Sequence, residues 1–130
     1  MSLAYLDTSF LLSILFNEPG ARKLSGVLGQ FERVFSADLL VAETLAAAPR
    51  ENVGLDRVEP VLKTISLLLP DRTLLPEVRE VLAHGYLRGA DLWHLASAMF
   101  LAGPDRAAIA FLSRDSAQRA MAGHVGFRTP

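Results

Sequence analysis

The sequence predicts an α/β protein of three layers, α/β/α, in which helices flank a mostly parallel central sheet of four or five short strands. Three observations carry the prediction. The chain has 130 residues, 51% of them hydrophobic, which suits one domain over residues 1–130 with a single sizeable core. Apolar periodicity switches repeatedly between strand-like and helix-like, the pattern of a parallel sheet covered on both faces. Asp7 and Asp115 stand where apolar strands end and helices begin, the edge at which ligands bind in such sheets.

Leu3 to Leu6 is a short buried strand, and Phe10 to Phe16 continues as an apolar helix that Asn17, Glu18, Pro19 and Gly20 end. A second helix follows from Ala21 to Leu28. Arg33, Val34 and Phe35 form the next strand, after which Ser36 is placed to cap a helix through Leu39, Leu40, Glu43 and Leu45 to Ala48, stopped by Pro49. Asp56 can cap a helix carrying Val58, Val61, Leu62 and Ile65, and Leu67 to Leu69 fits helix or strand before Pro70. Pro76 suits the first turn of a helix ending at Tyr86. Gly89 breaks the pattern, and Asp91 starts an apolar helix through Leu95, Ala98 and Met99 that ends near Gly103 and Pro104. Ala107 to Leu112 reads as a strand, Ser116 to Met121 as a short helix, and Gly126 to Arg128 as a last edge strand.

Composition narrows the chemistry. The net charge of −1 gives no general attraction to nucleic acid, so any such contact needs a local basic patch. With no cysteine there is no disulfide, thiolate zinc site or thiol nucleophile. No basic segment precedes the first apolar stretch, and Asp7 interrupts it far short of the roughly 20 residues of a membrane span. A soluble, cytoplasmic protein is the expectation.

Asp7, Asp91 and Asp115 each begin a helix, and Glu43 lies in VAETLAAA among small and apolar neighbours. Taken singly, each aspartate is more simply explained as a helix cap than as a ligand, and Glu43 could instead face solvent. If all four converge, electrostatics decides what accompanies them. Two carboxylates 4 Å apart repel by roughly 4 kcal/mol at an effective dielectric of 20, so a cluster takes up protons or binds a cation. No lysine adjoins any of the four in sequence. An all-oxygen site of this kind suits Mg²⁺ or Mn²⁺ rather than zinc.

LDTS, SADLLVAE, GADLWHLASA and FLSRD, in that order over nearly the whole chain, resemble the PIN-domain family, and most closely its VapC-type ribonuclease toxins of toxin–antitoxin pairs. The resemblance implies a divalent-metal-dependent ribonuclease whose acids are Asp7, Glu43, Asp91 and Asp115. In that reading Asp7, Asp91 and Asp115 hold one or two Mg²⁺ ions, and Glu43 binds metal or orients the attacking water. Ser9 and Ser113 would orient carboxylates by hydrogen bonds, and Arg88 and Arg114 are candidates for flanking phosphates or simply solvated charges. Thr8 or Ser9 would cap the first helix, leaving the Asp7 carboxylate free. Leu92 and Trp93 are bulkier than the resemblance leads one to expect after the third acid. It also implies an RNA substrate, a homodimer and a cognate antitoxin protein received on a hydrophobic surface, for which Phe10 to Phe16 and Val58 to Leu69 are candidates.

His84, His94 and His124 lack metal-ligand spacing, and His94 is expected to make a structural hydrogen bond; Trp93 and Phe100 are expected to pack. Three other readings stay open. An aspartyl phosphotransferase would want an acid at the position of Ser9 and a dedicated lysine, whereas the chain has only Lys23 and Lys63. A nuclease that processes RNA without an antitoxin, and a non-catalytic binding module of the same fold, both fit the residues.

Overall fold

The computed structural model describes residues 2–130. Two neighbouring strands, β1 (Leu3–Leu6) and β4 (Ile109–Leu112), are each an uninterrupted apolar run because each is covered on both faces. Side-chain alternation divides these runs between two cores. Ala4, Leu6, Ala110 and Leu112 enter one core, while Tyr5, Ile109 and Phe111 enter the other. Outside β1 lie β2 (Arg33–Ala37) and then β3 (Ser66–Leu68), giving a four-stranded sheet of order β3-β2-β1-β4 in which every pair is parallel. Tyr5 is in register with Phe35 on one side and Phe111 on the other.

Helices α1 (Thr8–Leu15), α2 (Ala21–Leu28), α3 (Leu39–Ala47) and α4 (Leu55–Leu62) supply Phe10, Leu24, Leu40 and Val58 to the first core. Helices α5 (Leu75–His84), α6 (Gly89–Ala102) and α7 (Ser116–His124) supply Val81, Leu95 and Met121 to the second. The three expected layers are therefore present, and Leu67 to Leu69 resolves largely into β3.

Several local expectations are corrected. Ser36 does not cap α3: β2 runs on to Ala37, and the buried Ser36 hydroxyl donates to the Leu6 carbonyl at 2.6 Å, tying two strand ends together. Pro49 does end α3, whose last residue is Ala47, but the chain coils on through a 3₁₀ segment, Ala48–Glu51, in whose first turn a missing N–H costs nothing. Gly54 rather than Asp56 occupies the N-cap of α4. Gly89 opens α6, so that Asp91 lies in its first turn, and Gly103, at φ +57°, ends it. Gly126 to Arg128 contributes one parallel bridge, Ala110 to Arg128, and not a strand. Among the described residues no helix is long and apolar enough to cross a membrane.

Candidate active site

The chain leaves β1 into α1 on one face of the sheet and leaves β4 into α7 on the other. Adjacent parallel strands whose following helices diverge leave a crevice at their carboxyl ends. A cleft of about 380 Å³ lies there, lined by Asp7, Glu43, Asp91 and Asp115 together with Thr8, Ser9, Arg50 and Arg88.

Asp7 follows β1 directly, in extended conformation, and is only 3% exposed. Its Oδ2 accepts from the Ser9 amide at 3.3 Å, the Ser9 hydroxyl at 2.5 Å and the Ser113 hydroxyl at 3.0 Å. Asp7, and neither Thr8 nor Ser9, is thus the N-cap of α1, because its short carboxylate reaches the orphan amide two residues on. The work of capping and of facing the cleft is divided between the two oxygens of one carboxylate. Among the described residues Oδ1 has no hydrogen bond; His94 Nε2 stands 3.9 Å from it.

Glu43 projects from the middle of α3 into the same cleft and is half-buried, which excludes the solvent-facing alternative. Its Oε1 accepts from the Thr8 hydroxyl at 2.7 Å and meets His94 Nε2 at 2.8 Å. The bond from His94, with support from Thr8, holds the Glu43 carboxyl below the usual glutamate range against the opposing effect of burial. His94, on α6, is 1% exposed and its Nδ1 lies 2.8 Å from the Tyr5 hydroxyl, so the expected structural hydrogen bond is present.

Asp91, in the first turn of α6, pairs with Arg88 at 3.2 Å. Burial raises the Asp91 carboxyl above its ordinary range, Arg88 opposes this, and the charges of Asp7 and Asp115 add to it. Asp115 caps α7 through Oδ1, which accepts from the Gln118 amide at 2.9 Å, while its side chain also lines the cleft. Capping and cleft-facing are compatible roles for the same residue.

The structure brings all four predicted acids to one cleft, but each is tied to a different donor: Asp7 to two serines, Glu43 to Thr8 and His94, Asp91 to Arg88, Asp115 to a helix amide. Among the described residues no three acidic or imidazole groups are close enough together to hold a metal ion. The donor chemistry nonetheless fits a hard divalent cation, since every acid offers oxygen and Asp91 carries a charge that burial and its acidic neighbours disfavour.

Ser9 and Ser113 both reach Asp7, as expected. Arg88 lines the cleft, and exposed Arg114 lies beside it in an adjoining hollow that shares Ser9, Leu12 and Asp115. Two polar cleft residues escaped the sequence reading. Thr8 looked like a spare cap, and Arg50 lay beyond the apparent stop at Pro49, although its spacing of seven from Glu43 places it on the same helical face. Phe100 packs as expected, under the Arg72 guanidinium at 5.2 Å, whereas Trp93 is partly exposed. His84 and His124 stack on each other with centroids 6.2 Å apart and do not line the cleft.

A family model described as the PIN domain matches residues 4–124 of the chain, and no curated protein matches it. Proteins of this kind are generally nucleases that act on RNA and typically use divalent metals. A match over nearly the full length, together with the parallel sheet and the acid-lined crevice at its carboxyl edge, establishes that the chain belongs to the PIN-domain family.

Proposed function

We propose that this chain is a divalent-metal-dependent endoribonuclease and the toxin of a toxin–antitoxin pair. The observation that carries the nuclease reading is the gathering of Asp7, Glu43, Asp91 and Asp115 in one cleft at the carboxyl ends of β1 and β4, with Arg50 and Arg88 on its rim. The four acids would hold Mg²⁺ or Mn²⁺. When bound, such a cation supplies an activated water and stabilises charge on the phosphoryl oxygens.

The chain's own residues supply orientation. Ser9 and Ser113 fix Oδ2 of Asp7 and so aim Oδ1; Thr8 and His94 fix Oε1 of Glu43 and leave Oε2 to the cleft. Arg88, released from Asp91, Arg50 and Arg114 receive phosphates flanking the scissile bond. In-line attack of water on phosphorus breaks the bond to the 3′ oxygen, leaving a 3′-hydroxyl and a 5′-phosphate.

Purified protein should cut RNA with Mg²⁺ or Mn²⁺, stop on addition of EDTA, and lose activity on Asp7→Asn while remaining folded, asparagine being an equally good cap. Equal cleavage by the variant sinks the site assignment. For the toxin role, expression without its partner should arrest growth, and a small antitoxin gene should lie directly upstream. Support for a protein-binding or dimer surface comes from Leu67, Leu69, Leu82 and Tyr86, all exposed; Phe10, Leu11 and Leu15 of the other candidate segment are spent in the core.

A further inference from the structure

Resting on the nuclease reading above, we propose that His94 is a positioning residue for Glu43, held in one tautomer by Tyr5 so that its Nε2–H fixes one oxygen of the Glu43 carboxylate and leaves the other to the reacting groups.

The direction of each bond follows from the donors available. Tyr5 is fully buried, and its oxygen accepts from the Ala37 amide at 3.0 Å. The Ser36 and Ser97 hydroxyls also adjoin the Tyr5 oxygen and spend their own hydrogens on the Leu6 and Trp93 carbonyls, but the imidazole nitrogen is the stronger acceptor, so the Tyr5 hydrogen goes to His94 Nδ1 at 2.8 Å. A ring nitrogen that accepts carries no hydrogen, so the imidazole carries its hydrogen on Nε2, 2.8 Å from Glu43 Oε1. The Thr8 hydroxyl donates to the same Oε1 at 2.7 Å, and its oxygen stands 3.1 Å from Nε2. With two hydrogens on Oε1, rotation of the carboxylate breaks both bonds, and Oε2 remains without a hydrogen bond among the described residues. The reverse tautomer sets an imidazole lone pair against an ionised carboxylate and turns the Tyr5 hydrogen away to a serine hydroxyl, Ser36 or Ser97, a weaker acceptor than the ring nitrogen. The chain Ala37 amide, Tyr5, His94, Glu43 thus transmits the position of β2 and β1 to an acid on α3 through a side chain of α6. His94 itself touches no reacting atom in this scheme.

The test uses the full chain, free of metal, with ¹⁵N-labelled histidine. A long-range ¹H–¹⁵N spectrum should show His94 with its hydrogen on Nε2 and a bare Nδ1, the assignment being made by comparison with His94→Gln. Tyr5→Phe should lose this single tautomer and, with Mg²⁺ and RNA, lower kcat about tenfold at unchanged KM, about the worth of one hydrogen bond to a charged group. His94→Leu should lose more than His94→Gln, which keeps an amide donor within reach of Glu43. Thermal denaturation confirms that each variant is folded. A hydrogen on Nδ1 in the wild-type protein overturns the proposal, as does a folded Tyr5→Phe variant with wild-type kcat. If the wild-type chain cuts no RNA with any divalent metal, the nuclease reading falls, and the spectrum alone still decides whether Tyr5 and His94 fix Glu43.

Discussion

Ser113, just past the end of β4, donates its hydroxyl to Oδ2 of Asp7, just past the end of β1, across 3.0 Å. Its single hydrogen has a second acceptor in Gln118 at 3.2 Å, and the nearer, charged oxygen takes it. Ser113→Ala should lower kcat for RNA about tenfold, and Ser113→Thr should restore it. Because Ser113 is fully buried, the added methyl should cost the threonine variant about 2–4 °C in Tm. Steady-state kinetics and thermal scans on both variants check this; an alanine variant with wild-type kcat refutes the orienting role.

Asp91 makes the opposite trade. Its carboxyl is raised above the ordinary range by burial first, so at neutral pH the folded protein bears an ionised group that it disfavours relative to the unfolded chain. Asp91→Asn should therefore abolish cleavage while raising Tm at pH 7 by about 1–3 °C, and the gain should shrink as pH falls and the wild-type carboxyl takes up its proton. Calorimetry of the two proteins at pH 7 and pH 4 measures the difference.

Arg50 lines the cleft and is exposed, with no acidic partner within ion-pair distance among the described residues. Arg50→Ala should raise KM for RNA about three- to tenfold with kcat little changed. It should also flatten the plot of log KM against log salt by about 0.7, the contribution of one phosphate contact to a single strand. An unchanged salt slope removes Arg50 from the RNA path.

Thr44 is fully buried on α3, and among the described residues its hydroxyl has no hydrogen-bond partner. Thr44→Val keeps the branched shape and removes the orphaned group, so Tm should rise by about 2–5 °C, with nuclease activity unchanged. A fall in Tm would mean that the hydroxyl has a partner.

At acid pH the α5 end of the molecule should yield. Arg72 pairs with Glu77 at 2.6 Å and holds its carboxyl below the usual 4.5. A depressed folded-state value contributes stability above the unfolded value that is lost as pH falls through the folded one. Between about pH 5 and 3 the wild-type Tm should therefore fall more steeply than that of Glu77→Gln. Parallel curves would show that the pair contributes nothing.

What could be read from the sequence divides along a physical line. β1 and β4 were legible because a strand covered on both faces must be apolar throughout, and Asp7 and Asp115 stood out as the first acids beyond such runs. Ser36 was misread because a serine before an apolar helix resembles a cap, whereas its partner, the Leu6 carbonyl, is 30 residues away. The orienting groups around Glu43 were hidden for the same reason. Thr8 and Tyr5 meet His94 across 86 and 89 residues, and no local periodicity encodes a contact of that range. Arg50 was missed because Pro49 ends the α-helix, while the coil continues past it as a 3₁₀ segment.

The sheet order β3-β2-β1-β4 sets β1 beside the last strand of the domain, and Ser113 meets Asp7 across 106 residues. On the ribosome, β1, β2 and β3 emerge first and can pair, but Asp7 faces an unfinished neighbour until β4 and Asp115 have been synthesised. A growing chain therefore cannot assemble this constellation early, and an enzyme that cuts RNA with it would be harmless to the message encoding it until translation of the domain is all but complete.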